Sequence, residues 1–123
     1  MDYDKVMAAH SEWKTKLRGA LLRQEKLDAA NISRDDCCSL GKWIHGPESS
    51  SVRSHAAFGA CKTKHAEFHR EAGKVAAAIN AARYAEAETL LGSTSAYSRV
   101  SSEVITAILS LKKAVAPAPA AFR

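Results

Sequence analysis

The stretch Phe58-Gly-Ala-Cys61-Lys-Thr-Lys-His65-Ala-Glu-Phe68-His69-Arg-Glu-Ala72-Gly-Lys-Val75-Ala-Ala-Ala-Ile79 decides the fold. Its apolar or ring-bearing residues fall at Phe58, Cys61, His65, Phe68, Ala72, Val75 and Ile79, in steps of three and four. That period places all seven on one face of an α-helix. The pattern predicts a helix from about Val52 to Ala82, roughly 45 Å long at a rise of 1.5 Å per residue, a length suited to one rod of a bundle.

Other stripes lie on both sides. Val6, His10, Trp13, Leu17 and Leu21 define an apolar face on a helix running to about Arg23. A loop is expected from Leu27 to Ile32. Ser33-Arg34-Asp35-Asp36 resembles a capping box and predicts a short helix over about 34–41, with the two carboxylates favouring its N-terminal dipole. Gly46-Pro47 through Ser51 marks a break. Tyr84 to Leu91 reads as further helix, Gly92 to Ser95 as an interruption or bend, and Tyr97, Val100, Val104, Ile108, Leu111 and Val115 as the last stripe. The expected fold is all-α: an antiparallel four-helix bundle with an additional short helix.

The chain has 123 residues, 46% hydrophobic and 25% charged, with only 6 Gly and 3 Pro. This fits one helical domain, expected over residues 1–115, followed by a disordered Pro/Ala-rich tail over 116–123. The net charge of +5 is spread along the chain without a basic block or a nucleic-acid motif, so no nucleic-acid partner is expected. No apolar run approaches the ~18 residues needed to span a bilayer, and the N-terminus lacks a secretory pattern. The expectation is a soluble, cytoplasmic protein without membrane insertion. Three cysteines, two of them adjacent, make a disulfide framework a poor explanation.

The chemistry sits on the stripes. His65 and His69 are spaced i, i+4, which lets two imidazoles share one metal ion. Ala66 occupies the place of a metalloprotease glutamate, so that pattern is absent. His10 takes a core slot where leucine would be ordinary. Three imidazoles on stripes facing one core need partners, and a shared metal would supply them. Cys37, Cys38 and Cys61 are the thiolate candidates. Cys61, His65 and His69 together span roughly 12 Å along one helix, too far for one zinc ion with bonds of ~2.0–2.3 Å. Cys61 therefore reads as a small core residue, while Cys38 can approach from another element. His45 and His55 read as surface or loop residues.

The segments His10-Ser-Glu-Trp13, Cys38-Ser-Leu-Gly41-Lys-Trp43 and His65-Ala-Glu-Phe68-His69, in this order, resemble the three signature motifs of the chemoreceptor zinc-binding domain, a bacterial sensory module. The resemblance extends over about residues 3–113. It implies a Zn(II) site made by His10, Cys38, His65 and His69, with Trp13, Trp43 and Phe68 walling it and Gly41 breaking the backbone so that Trp43 turns inward. One thiolate and three imidazoles suit zinc, and a closed four-ligand shell leaves no open position for catalysis. The resemblance further implies a homodimer in chemotaxis or cyclic-di-GMP signalling, acting on a partner or a fused output domain. Zinc occupancy or oxidation of the Cys38 thiolate would be the signal, with Cys38 as the labile ligand. Two other readings are a structural zinc module without sensing and a hemerythrin-like iron binder. The second needs carboxylate ligands, yet Lys14 follows His10 by four residues and Gly59 follows His55 by four.

Overall fold

The computed structural model describes residues 1–116, so most of the expected tail lies outside the described residues. Six α-helices follow one another: α1 (Tyr3–Arg23), α2 (Ala29–Ile32), α3 (Ser39–His45), α4 (Ala56–Asn80), α5 (Tyr84–Leu90) and α6 (Ala96–Val115), with a 3₁₀ turn at Pro47–Val52. There is no strand among the described residues, and none of the helices is long and apolar enough to cross a membrane. The all-α bundle expected from the stripes is present.

Three rods carry it. α1 starts at Asp2, whose carboxylate accepts from the Lys5 amide at 3.0 Å. α6 starts at Ser95, whose hydroxyl accepts from the Ser98 amide at 3.1 Å. The Asp4 carboxylate near the start of α1 accepts from Lys112 near the end of α6 at 2.7 Å, so these rods are antiparallel. Lys64–Glu103 at 3.5 Å and Phe68–Tyr97 at 5.6 Å between ring centroids set α4 antiparallel to α6 as well. α1 and α4 therefore run parallel. The core is their shared seam, with Leu17, Phe68, Val75, Val104, Ile108 and Leu111 fully buried.

Two parallel rods require a return path, and residues 24–55 provide it. This segment descends along α4 in fixed steps. Leu27 exchanges two hydrogen bonds of 2.7 Å with the Asn80 side chain, and the Ile32 carbonyl meets His69. Cys38 then meets His65 and His69, and Trp43 meets Phe58. The segment thus fills the fourth place of the bundle, and the fourth segment seen in the sequence, α5, is a seven-residue cap.

Here the sequence expectations need correction. The predicted loop over Leu27–Ile32 contains α2, capped by the Asp28 carboxylate on the Asn31 amide. Ser33 starts no helix; residues 35–38 are bends, and α3 begins at Ser39 with Cys38 as its cap. Asp35 and Asp36 therefore lie outside any helix start: Asp36 holds Arg34 through two contacts of 2.9–3.0 Å, and Asp35 meets His45 at 3.3 Å. Proline and serine in Pro47–Val52 favour a 3₁₀ turn, which delays α4 to Ala56 and shortens it to 25 residues, about 37 Å. Gly92–Ser95 is a true break between α5 and α6.

Ala82 closes α4 in the left-handed region at φ 60°, with the Arg83 amide reaching back to the Ala78 carbonyl at 2.9 Å. A Cβ there costs about 1–2 kcal/mol, of which glycine's extra unfolded-state entropy returns about 0.5–1. Ala82→Gly is expected to raise stability by about 0.5–1 kcal/mol in thermal or urea unfolding, whereas the β-branched Ala82→Val lowers it.

Candidate metal centre

Three elements deliver four side chains to one point. α1 brings His10, 3% exposed; α4 brings His65 and His69, 0% and 2% exposed; and the N-terminus of α3 brings the half-buried Cys38. Their ligand atoms all lie within 4.8 Å of one another. Cys38 Sγ is 3.1 Å from His65 Nε2 and 3.6 Å from His69 Nε2. A tetrahedral shell with bonds of about 2.0–2.3 Å puts neighbouring ligands about 3.3–3.6 Å apart, so the spacing fits a zinc-sized ion.

The hydrogen bonds aim the rings. His10 Nδ1 donates to the Val6 carbonyl one turn back on α1, at 2.9 Å. His69 Nδ1 donates to the Ile32 carbonyl at the end of α2, also at 2.9 Å. Each bond leaves the Nε2 lone pair free and pointed inward. His10 Nε2 and His65 Nδ1 are buried with no partner. A buried polar nitrogen left unpaired costs about 1–3 kcal/mol. A cation at the common point satisfies His10 Nε2 directly, so the donor set fits the group.

Burial pushes all three imidazole pKa values down, opposed at His10 by the Val6 carbonyl and at His69 by the Ile32 carbonyl. His65, with two neighbouring rings adding to its burial, falls to about 2. The three rings are therefore neutral lone-pair donors at neutral pH. Burial pushes the Cys38 thiol up, opposed by backbone amides led by that of Gly41, which meets the sulfur at 3.4 Å. Cys38 is thus both the N-cap of α3 and a member of the cluster. A cation offsets the cost of its thiolate, so metal binding is coupled to release of the Cys38 proton.

The surrounding residues divide. Phe68 packs on His10 and His69 at 5.3 and 5.4 Å between centroids, and Trp13 meets His69 at 6.4 Å, so both wall the cluster. Trp43 does not: it packs edge-on against Tyr3 and Phe58 at 5.9 Å, clamping α3 to the start of α1 and α4. Gly41 is no backbone break. It lies buried inside α3, where a Cβ would collide with the Asp35 carbonyl and sit 2.8 Å from its carbon. Its bareness lets the 35–38 bends fold over α3 and set Cys38 facing α4. Cys61 is fully buried, its thiol pushed up to about 11 by burial, and stands outside the group, as does Cys37. His45 is exposed, and His55 precedes α4 without a side-chain cap.

Sequence reasoning missed the residues that orient the ligands. Val6 and Ile32 act through backbone carbonyls, which leave no residue-type signal. A cavity of about 300 Å³ lined by Trp13, Asp28, Asn31, Ile32, Arg34, Cys37, Cys38 and His69 opens on one side of the cluster.

The sequence model for the family described as the chemoreceptor zinc-binding domain matches residues 10–76, more than half of the chain. The match opens on His10 and includes Cys38, His65 and His69. No curated protein and no solved structure matches the chain significantly.

Two outcomes follow from this geometry. In metal-free protein, the depressed histidines bind fewer protons folded than unfolded. Stability is therefore present above the unfolded histidine pKa of about 6.5 and is lost as pH falls below it, with a slope approaching about 1.4 kcal/mol per pH unit for each ring. Urea unfolding of chelator-treated protein between pH 7.5 and 5 checks this. Gly41→Ala is expected to destabilise the fold by about 1–3 kcal/mol, the usual cost of overpacking, and to weaken metal retention with it. Thermal unfolding and metal analysis of the variant test both.

Proposed function

Because this chain belongs to the chemoreceptor zinc-binding domain family, we propose that it is a zinc-binding regulatory domain of bacterial signal transduction, in chemotaxis or cyclic-di-GMP control. The observation that carries the reading is the convergence of one thiol and three neutral imidazoles, from three separate elements, within 4.8 Å. His10, Cys38, His65 and His69 would hold Zn(II), which supplies a double positive charge that keeps the Cys38 sulfur as thiolate. Val6 and Ile32 orient two of the rings, and Phe68 and Trp13 restrict water. With four protein donors the centre has no place for a substrate, which supports binding rather than catalysis.

The signal in this reading is the state of Cys38. It is the half-buried donor, it faces the cavity beside α2, and it alone comes from the return segment. Oxidation of the thiolate by hypochlorous acid gives the sulfenic acid and chloride, and it removes the charged donor that holds α3 to α4. Loss of zinc removes the same link. Either event would change how residues 24–55 pack, and a partner or an attached output domain would read that change. We place the domain within residues 1–115, in the cytoplasm, acting as a homodimer.

Elemental analysis of the purified protein tests the centre. The wild type is expected to carry about one zinc per chain, and Cys61→Ala to keep it. Cys38→Ala is expected to lose affinity by more than the 10–100-fold that follows loss of an outer hydrogen-bond partner. Iron in place of zinc, or zinc retained by Cys38→Ala, overturns the assignment. Chelation separates sensing from a structural role: a sensor stays helical with altered packing, whereas a structural site unfolds.

A further inference from the structure

Gly73 lies buried in the interior of α4, one turn after His69. Glycine in a helix interior costs about 1 kcal/mol relative to alanine, so a physical reason is needed at this position. The reason is contact with α2. A Cβ on Gly73 would stand 2.5 Å from Ser33 Cβ and 3.0 Å from its Cα. Ser33 cannot yield cheaply, because it caps α2: its amide donates to the Ala29 carbonyl at 3.0 Å and its hydroxyl to the Ala30 carbonyl at 2.9 Å. The preceding residue is Ile32, whose carbonyl accepts from His69 Nδ1. The close approach at Gly73 and the hydrogen bond at His69 are thus successive contacts of a single docking. Gly59, in the same helix, has nothing within 4 Å of its Cβ position.

We infer that Gly73 is a positioning residue for the metal centre. Its missing side chain lets α2 settle on α4 deeply enough for the Ile32 carbonyl to fix the His69 tautomer, with Nε2 turned toward Cys38. The inference rests on the metal-binding reading above, but the ring orientation it explains exists without metal. With α2 held off, the His69 ring loses its only anchor at Nδ1 and is free to rotate or exchange its proton between nitrogens.

The test compares Gly73→Ala, Gly59→Ala and the double variant Gly73→Ala/Ser33→Gly in the full chain. Long-range ¹H–¹⁵N correlation spectra of metal-free protein read the His69 tautomer and its Nδ1 proton. Competition with a chromophoric chelator reads zinc affinity. Gly59→Ala is expected to match the wild type in both. Gly73→Ala is expected to lose or shift the His69 Nδ1 signal and to bind zinc 10–100-fold more weakly, with Ser33→Gly restoring part of both. An unchanged His69 signal in folded Gly73→Ala overturns the inference, as does wild-type zinc affinity. Should Gly73→Ala fail to fold, Ser33→Val wedges the same contact from the α2 side, and an unperturbed His69 signal there overturns it equally. A wild type that binds no zinc sinks the metal reading instead, and the metal-free spectra still decide the role of Gly73.

Discussion

The structure depends on burying three neutral imidazoles in a helical core and finding something for their free lone pairs. An imidazole in a leucine slot is tolerable only when its polar nitrogens are paired. His10 and His69 each satisfy Nδ1 on a backbone carbonyl, and both then present Nε2 to the space that Cys38 enters. The arrangement is costly without a cation: His10 Nε2 stays unpaired, and burial raises the Cys38 thiol. A divalent cation at the common point would offset both costs at once.

Around this point the fold divides into a rigid part and a fitted part. α1, α4 and α6 form a conventional apolar seam, which needs no metal to bury Leu17, Val75, Ile108 and Leu111. The return segment has far less apolar surface of its own. Ile32, Leu40 and Ile44 are its buried aliphatic residues, and the rest is held by specific contacts: Leu27 to Asn80, Ile32 to His69, Trp43 to Phe58, and Arg53 to the Ile44 and Gly46 carbonyls. Segments stabilised this way sit at the low end of local stability.

That division also explains what could be read in the sequence. The rods were legible because helical burial imposes a period: the stripes of α1, α4 and α6 fall on their buried faces, with Trp13, Leu21 and Val115 half-buried at the edges and small residues such as Ala20, Gly73, Ala76 and Ala107 completing them. The identity of the four clustered side chains was legible because histidine in an apolar slot is chemically conspicuous. The return segment was not legible. Its helices are too short to show a period, and the capping signal at Ser33 was overridden by the close packing at Gly41 and by Cys38 serving as the cap of α3. Trp43 was misplaced for the same reason: its motif position gives the residue type, while the direction of its ring is set by Tyr3 and Phe58. The carbonyls of Val6 and Ile32 carry no side-chain signature at all.

Cys38 belongs to two structures, as the residue that begins α3 and as the sulfur of the cluster. Any two equilibria that share one atom are linked, and the linkage is reciprocal. Whatever grips α3 in its docked pose, including Arg53 at its far end, tightens the hold on a cation by the same factor by which the cation tightens α3. A protein surface that binds α3 would therefore tune metal affinity from outside, without touching a ligand. The bundle would then have no fixed set point for metal, only one set jointly with whatever is bound to it.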